Sequence, residues 1–214
     1  MTNVLIIDSA ATGEASVSRS LTSKLAERLT LGDRSLGDRA IHVVRRDVGA
    51  SPIPHLIAET VGAIRGAPQE TDAGRRALAL SDALVEEIKT ADVIVLGAPM
   101  YNFGMASTLK AWFDHILRAG VTFRYSDAGP KGLLAGKRAI VIESRAGLYS
   151  EGPAAIMDHQ EPHIRTLLGF IGITDVTFVR AEKLAFGPEA AAAAIAEAVE
   201  QLASLAKTEL ALAA

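Results

Sequence analysis

Five short runs of aliphatic and β-branched residues recur along the chain: NVLIID at 3–8, IHVVRRD at 41–47, DVIVLGAP at 92–99, KRAIVIES at 137–144 and DVTFVRAE at 175–182. Segments with helical spacing separate them. This alternation constrains the fold most, because strands linked through helices form βαβ units, hence a parallel sheet with right-handed crossovers. The first, third and fourth runs are almost continuously apolar, as central strands covered on both faces must be. Ser18 is placed to N-cap a first helix carrying Leu21, Leu25 and Leu29 on one face. Residues 71–90 align Ala77, Leu80, Leu84 and Ile88, and residues 107–118 align Leu109, Trp112, Phe113 and Ile116. Pro162 suits the first turn of a fourth helix that ends before Gly169 or Gly172, and Pro188 and Glu189 open the last.

The expectation is one α/β domain over 1–214, a doubly wound five-stranded parallel sheet with helices on both faces. In such sheets ligands sit beyond the carboxyl ends of the strands, which singles out the loops at 9–18, 99–107 and 144–152. The irregular stretch at 49–71 is too apolar for a free linker and is expected to pack on the protein or on a partner subunit.

Composition narrows the chemistry. The chain has no cysteine, which removes disulfides, thiolate nucleophiles, cysteine-ligated zinc and iron–sulfur clusters. Redox work would therefore fall to a bound organic cofactor. A net charge of −3 gives no electrostatic case for nucleic acid. The start MTNVLIIDSA lacks a basic segment and a long apolar run, and Glu197, Glu200 and Lys207 interrupt the alanine-rich tail, so no membrane association and a cytoplasmic location are expected.

The first loop, SAATGEASVSRS, can present backbone N–H groups, the Ser16 and Ser18 hydroxyls and a positive helix end to a phosphate, with Arg19 nearby. A capped turn is the plain reading. Neither GxGxxG nor GxxxxGK[ST] occurs, and Gly132, Gly136 and Lys137 read as a turn. In the second loop Met100, Tyr101, Asn102 and Phe103 follow Pro99, an unusual set for a turn and one suited to a flat ring system. In the third, Gly147 permits close approach of backbone to a ligand, and Tyr149 is placed to close over it.

Other constellations carry less. His159 and His163 are four apart, but Pro162 interrupts HQEPH and the HExxH order is lacking. Asp8 suits the acidic pocket of a non-catalytic receiver-like binding module, yet the third strand closes with GAPM where such a module needs an aspartate. No GxSxG supports a hydrolase.

APMYNF, TLKAWFDHILRAGVTFRY, GPKGLLAGKRAIVIESRAGLYSEGP and LGFIGITDV together resemble the FMN-dependent NADH azoreductases, also described as quinone reductases. The resemblance runs nearly end to end and is strongest over 97–176. It implies a flavodoxin-like homodimer with one FMN per subunit near the interface. It also implies ping-pong two-electron transfer from NADH or NADPH to quinones and aromatic azo compounds, with the flavin rather than a side chain carrying the chemistry. The FMN contacts it implies are Ser9, Ser16, Val17 and Ser18, then Met100, Tyr101, Asn102 and Phe103, then Ser144, Arg145, Ala146 and Gly147. Asn102, Phe103, Tyr125, Tyr149 and Phe170 are the implied surroundings of the second substrate. Ala10 stands where a second serine is common, and Ala146 and Tyr149 depart from the glycine and histidine of some members. A flavodoxin-type single-electron carrier is the other flavin reading.

Overall fold

The computed structural model describes residues 2–31 and 41–212; residues 1, 32–40, 213 and 214 of the 1–214 domain lie outside the described residues. Strands β1 (Thr2–Asp8), β2 (Ile41–Asp47), β3 (Val93–Tyr101), β7 (Arg138–Ser144) and β8 (Asp175–Ala181) form the main sheet. Helices α1 (Val17–Thr30), α2 (Ala58–Ile64), α3 (Asp72–Thr90), α4 (Ser107–Ile116), α5 (Glu161–Phe170) and α6 (Pro188–Leu212) surround it. The strand order is β2-β1-β3-β7-β8, all parallel. The three apolar runs are thus the three central strands. A two-residue strand β4 (Gly104–Met105) pairs antiparallel with the end of β3. A hairpin of β5 (Phe123–Ser126) and β6 (Gly129–Gly132), not foreseen from the sequence, stands apart from the sheet.

Two cores lie on the two faces. Leu84, Ile88, Leu109, Trp112, Phe113, Ile164 and Leu168 pack with Leu5, Ile7, Ile94 and Leu96 on one, and Leu21, Leu25, Leu29, Ala198 and Leu202 pack with Val4, Ile6, Val95 and Ile142 on the other. Every one of these side chains is buried, and each large aliphatic or aromatic one contributes about 1.5–3 kcal/mol by leaving water. The apolar 49–71 segment packs on its own chain through Ile53, Ala63 and Ile64 and contains α2. α4 stops at Ile116, two residues earlier than its periodicity predicts, because Leu117 leaves the helical region at ψ 86° and Thr122 takes the Arg118 amide. Among the described residues no helix is long and apolar enough to cross a membrane.

Candidate active site at the carboxyl ends of β1, β3 and β7

Ser9 follows β1 and spends both donors internally: its hydroxyl and its amide reach the Gly97 carbonyl at 2.7 and 3.2 Å. Its role is to tie β1 to β3, which leaves it no proton for a ligand. The N-cap of α1 is Ser16, not Ser18: Ser16 is the last extended residue, and its Oγ accepts from the Arg19 amide at 3.3 Å. Ser18 lies buried inside the first turn, its hydroxyl 3.0 Å from that of Ser16. The amides of Val17 and Ser18 belong to the first helical turn, where no carbonyl of the helix can reach them. With the positive helix end they suit a dianionic phosphate. Arg19 contributes no free charge, since Asp47 and Glu14 both pair with it. Ala10 is buried against the close-approaching backbone of Gly49, where a Cβ would stand 2.2 Å from the Ala10 carbonyl oxygen.

Large residues crowd the second loop because it is a two-residue hairpin. Met100 pairs with Met105 and Tyr101 with Gly104, which leaves Asn102 and Phe103 as the turn. Both have positive φ, 47° and 70°, the combination that matches the twist of a tight hairpin. Asparagine tolerates it; phenylalanine does so at about 1–2 kcal/mol. A strained, 42% exposed phenylalanine is a poor choice for folding alone. Tyr101 lies partly in the core, and its hydroxyl accepts the Ala11 amide at 3.0 Å, joining loops one and two.

In the third loop Ser144 ends β7 opposite Pro99 of β3. The Arg145 side chain is completely buried, so only its main chain lines the loop. Its guanidinium reaches Glu143 at 2.6 Å, Asp158 at 3.0 Å, Glu182 at 3.2 Å and the Gln160 Oε1 at 3.2 Å. Gln160 in turn donates to the Ala98 carbonyl at 2.8 Å, one residue before Pro99. One buried cation thus holds the exits of both β3 and β7. Glu143 has no aligned hydrogen bond despite the short contact, and burial pushes its carboxyl up to about 8, outweighing Arg145, with Glu161 and Asp158 adding to the rise. Burial therefore favours its protonated form. Burial also raises Glu182, but hydrogen bonds from Ser150, Tyr149 and Arg145 outweigh it and hold that carboxyl below its ordinary value.

The Tyr149 ring lies over Gly147, where a Cβ would come within 3.0 Å of it. The carbonyls of Arg145, Ala146 and Gly147 accept from Leu184, Ala185 and Lys183. Among the described residues no acceptor meets the Ala146 and Gly147 amides. The predicted aromatic wall divides into two sets. Phe103 meets Tyr149, whereas Tyr125 and Phe170 meet through Phe123, at 5.5 and 4.5 Å. Tyr125 sits on the hairpin, 73% exposed. That hairpin is pinned to the end of α5 by contact of Gly132 with Gly172, too close for any Cβ.

Sequence reasoning missed Glu182, Gln160 and Asp158. A signal existed for Glu143, a carboxylate inside an otherwise apolar central strand two residues before an arginine. The free amides, paired serine hydroxyls and exposed aromatic rings together suit a ligand with a phosphate at one end and a flat polar-edged ring at the other.

A family model described as flavodoxin-like fold matches residues 2–206. The chain is 50% identical over 208 residues to the FMN-dependent NADH:quinone oxidoreductase of Hyphomonas neptunium, covering 97% of both chains. It is 47% identical to the FMN-dependent NADH:quinone oxidoreductase of Azotobacter vinelandii, over 96% of this chain and all of the relative. The crystal structure of azoreductase from Bacillus anthracis str. Sterne superposes with a TM-score of 0.85 at 27% identity, covering 97% of this chain and all of that one.

Proposed function

The chain belongs to the flavodoxin-like family that includes the FMN-dependent NADH:quinone oxidoreductases, and from that premise we propose that it is itself such an oxidoreductase with azoreductase activity. The observation that carries the reading is the strained Asn102-Phe103 hairpin beside the unpartnered amides at the carboxyl end of the sheet. FMN held there would supply two-electron transfer from NADH to a quinone or an azo compound.

The protein's part is binding and orientation. Ser16, Val17 and Ser18 receive the phosphate through two amides and the hydroxyl pair at the α1 terminus. Met100 to Phe103 and Ala146 to Gly147 offer main-chain N–H groups to the polar edge of the ring. Asn102, Phe103 and Tyr149 shape the space in which donor and acceptor take turns. Orientation of two flat partners, rather than a side-chain acid or base, supplies the rate. Tyr125 and Phe170 complete a wall farther out. A homodimer in the cytoplasm, where NADH is at hand, fits this reading. Ile156, 83% exposed, and Met157 lie just before His159, whose amide donates to Phe103, and would be covered by a second subunit.

The test is an absorbance spectrum with added FMN, followed by anaerobic NADH and then benzoquinone. Bleaching by NADH and return of colour on benzoquinone are expected. Absence of flavin binding refutes the reading, and bleaching without return of colour refutes the quinone acceptor.

A further inference from the structure

We infer that Glu182 is a positioning residue for the substrate pocket: its carboxylate fixes the 147–150 backbone in the shape that lays Tyr149 across Gly147 and against Phe103. The inference rests on the proposed function, because the pocket is the one assigned there. Oε1 accepts from the Tyr149 amide at 2.9 Å, the Ser150 amide at 3.1 Å and Arg145 Nη1 at 3.2 Å. Oε2 accepts from the Ser150 hydroxyl. Four donors from three residues therefore converge on one side chain, a demand that an ionised carboxylate meets and a hydroxyl does not.

The surrounding chain is built for the same contact. Lys183 follows with φ 62°, a conformation that side chains avoid, and its amide donates to the Gly147 carbonyl at 2.8 Å. Arg145 carries the restraint inward to Gln160 and Ala98, beneath the hairpin that presents Phe103. From the other side the His159 amide holds the Phe103 carbonyl at 3.0 Å. Glu182 is the point where the Tyr149 backbone joins that frame. Its carboxylate oxygens are taken up by Arg145, Tyr149 and Ser150, so it acts through Tyr149.

Hydrogen–deuterium exchange on flavin-free protein, resolved over 145–152, tests this alongside FMN titration and steady-state kinetics. In Glu182→Ala, exchange of the Tyr149 and Ser150 amides is expected to quicken about tenfold, the loss of one net hydrogen bond at each. The α4 peptides are expected to be unchanged. With FMN added, KM for benzoquinone is expected to rise about tenfold while the FMN Kd moves about threefold or less, since the phosphate loop is intact. Glu182→Gln keeps an acceptor for both amides, so it is expected to restore protection and KM. Unchanged exchange in Glu182→Ala, or an altered KM that Glu182→Gln does not restore, overturns the role of Glu182 and leaves the flavin reading standing. Failure of the wild-type chain to bind FMN overturns that reading and the substrate role of the loop with it, even where exchange responds as expected.

Discussion

The rings of Phe103 and Tyr149 meet edge to face, centroids 6.0 Å apart and planes at 80°, although they come from turns on different strands. Each turn is held by its own backbone device, the positive-φ hairpin for Phe103 and the Glu182 carboxylate for Tyr149. The placement of the two rings is therefore set by the backbone on both sides.

Phe103→Ala is expected to raise KM for quinones about three- to tenfold, the scale of one aromatic contact, with little change in FMN affinity. Steady-state kinetics over several quinones checks this. Unchanged constants for all of them remove Phe103 from the pocket.

Phe103→Gly separates strain from function. Glycine adopts φ 70° freely, so this variant is expected to be about 1 kcal/mol more stable than Phe103→Ala in urea unfolding, while remaining as impaired in KM. Equal stability of the two variants refutes strain at this residue.

Ser16→Ala and Arg19→Ala divide the phosphate site. Loss of the N-cap costs about 1 kcal/mol of stability and is expected to weaken FMN binding about tenfold. Arg19 is neutralised by Asp47 and Glu14, so its loss is expected to change the FMN Kd by less than about threefold at low salt. Titration by flavin fluorescence quenching checks both.

The contribution of Glu143 to stability is expected to fall as pH rises between about 5 and 8. Glu143 keeps its proton in the folded state up to about 8, whereas in the unfolded chain it loses it near the ordinary value of 4.5, so the folded state binds more protons across that window. Glu143→Gln holds the neutral form permanently and is expected to flatten the dependence. Melting curves at several pH values check it; an equal slope in both proteins refutes a neutral Glu143.

Arg145→Ala leaves Asp158 and Glu182 as buried or half-buried anions without their cation and is expected to destabilise the fold by about 3–5 kcal/mol. Urea unfolding measures it, and a loss below about 1 kcal/mol shows that the network is dispensable.

Hydrophobic periodicity alone determined the five main strands, the central position of the three most apolar ones, and the helices that cover them. Burial on one face or two leaves a local imprint on every residue of an element, as Leu21, Leu25 and Leu29 show. The resemblance of the loops pointed to the carboxyl ends of β1, β3 and β7 as the candidate site. Only tertiary structure decided what each polar side chain does there. Ser9 and Gly97 are 88 residues apart, and Arg145 and Glu182 are 37 apart. Nothing local in the sequence tells a serine that faces a ligand from one that ties two strands, or an arginine at a pocket from one buried beneath it. Hydrogen-bond partners are chosen by geometry after the strands have assembled, and that choice buried Arg145, consumed Ser9 and left Phe103 in solvent.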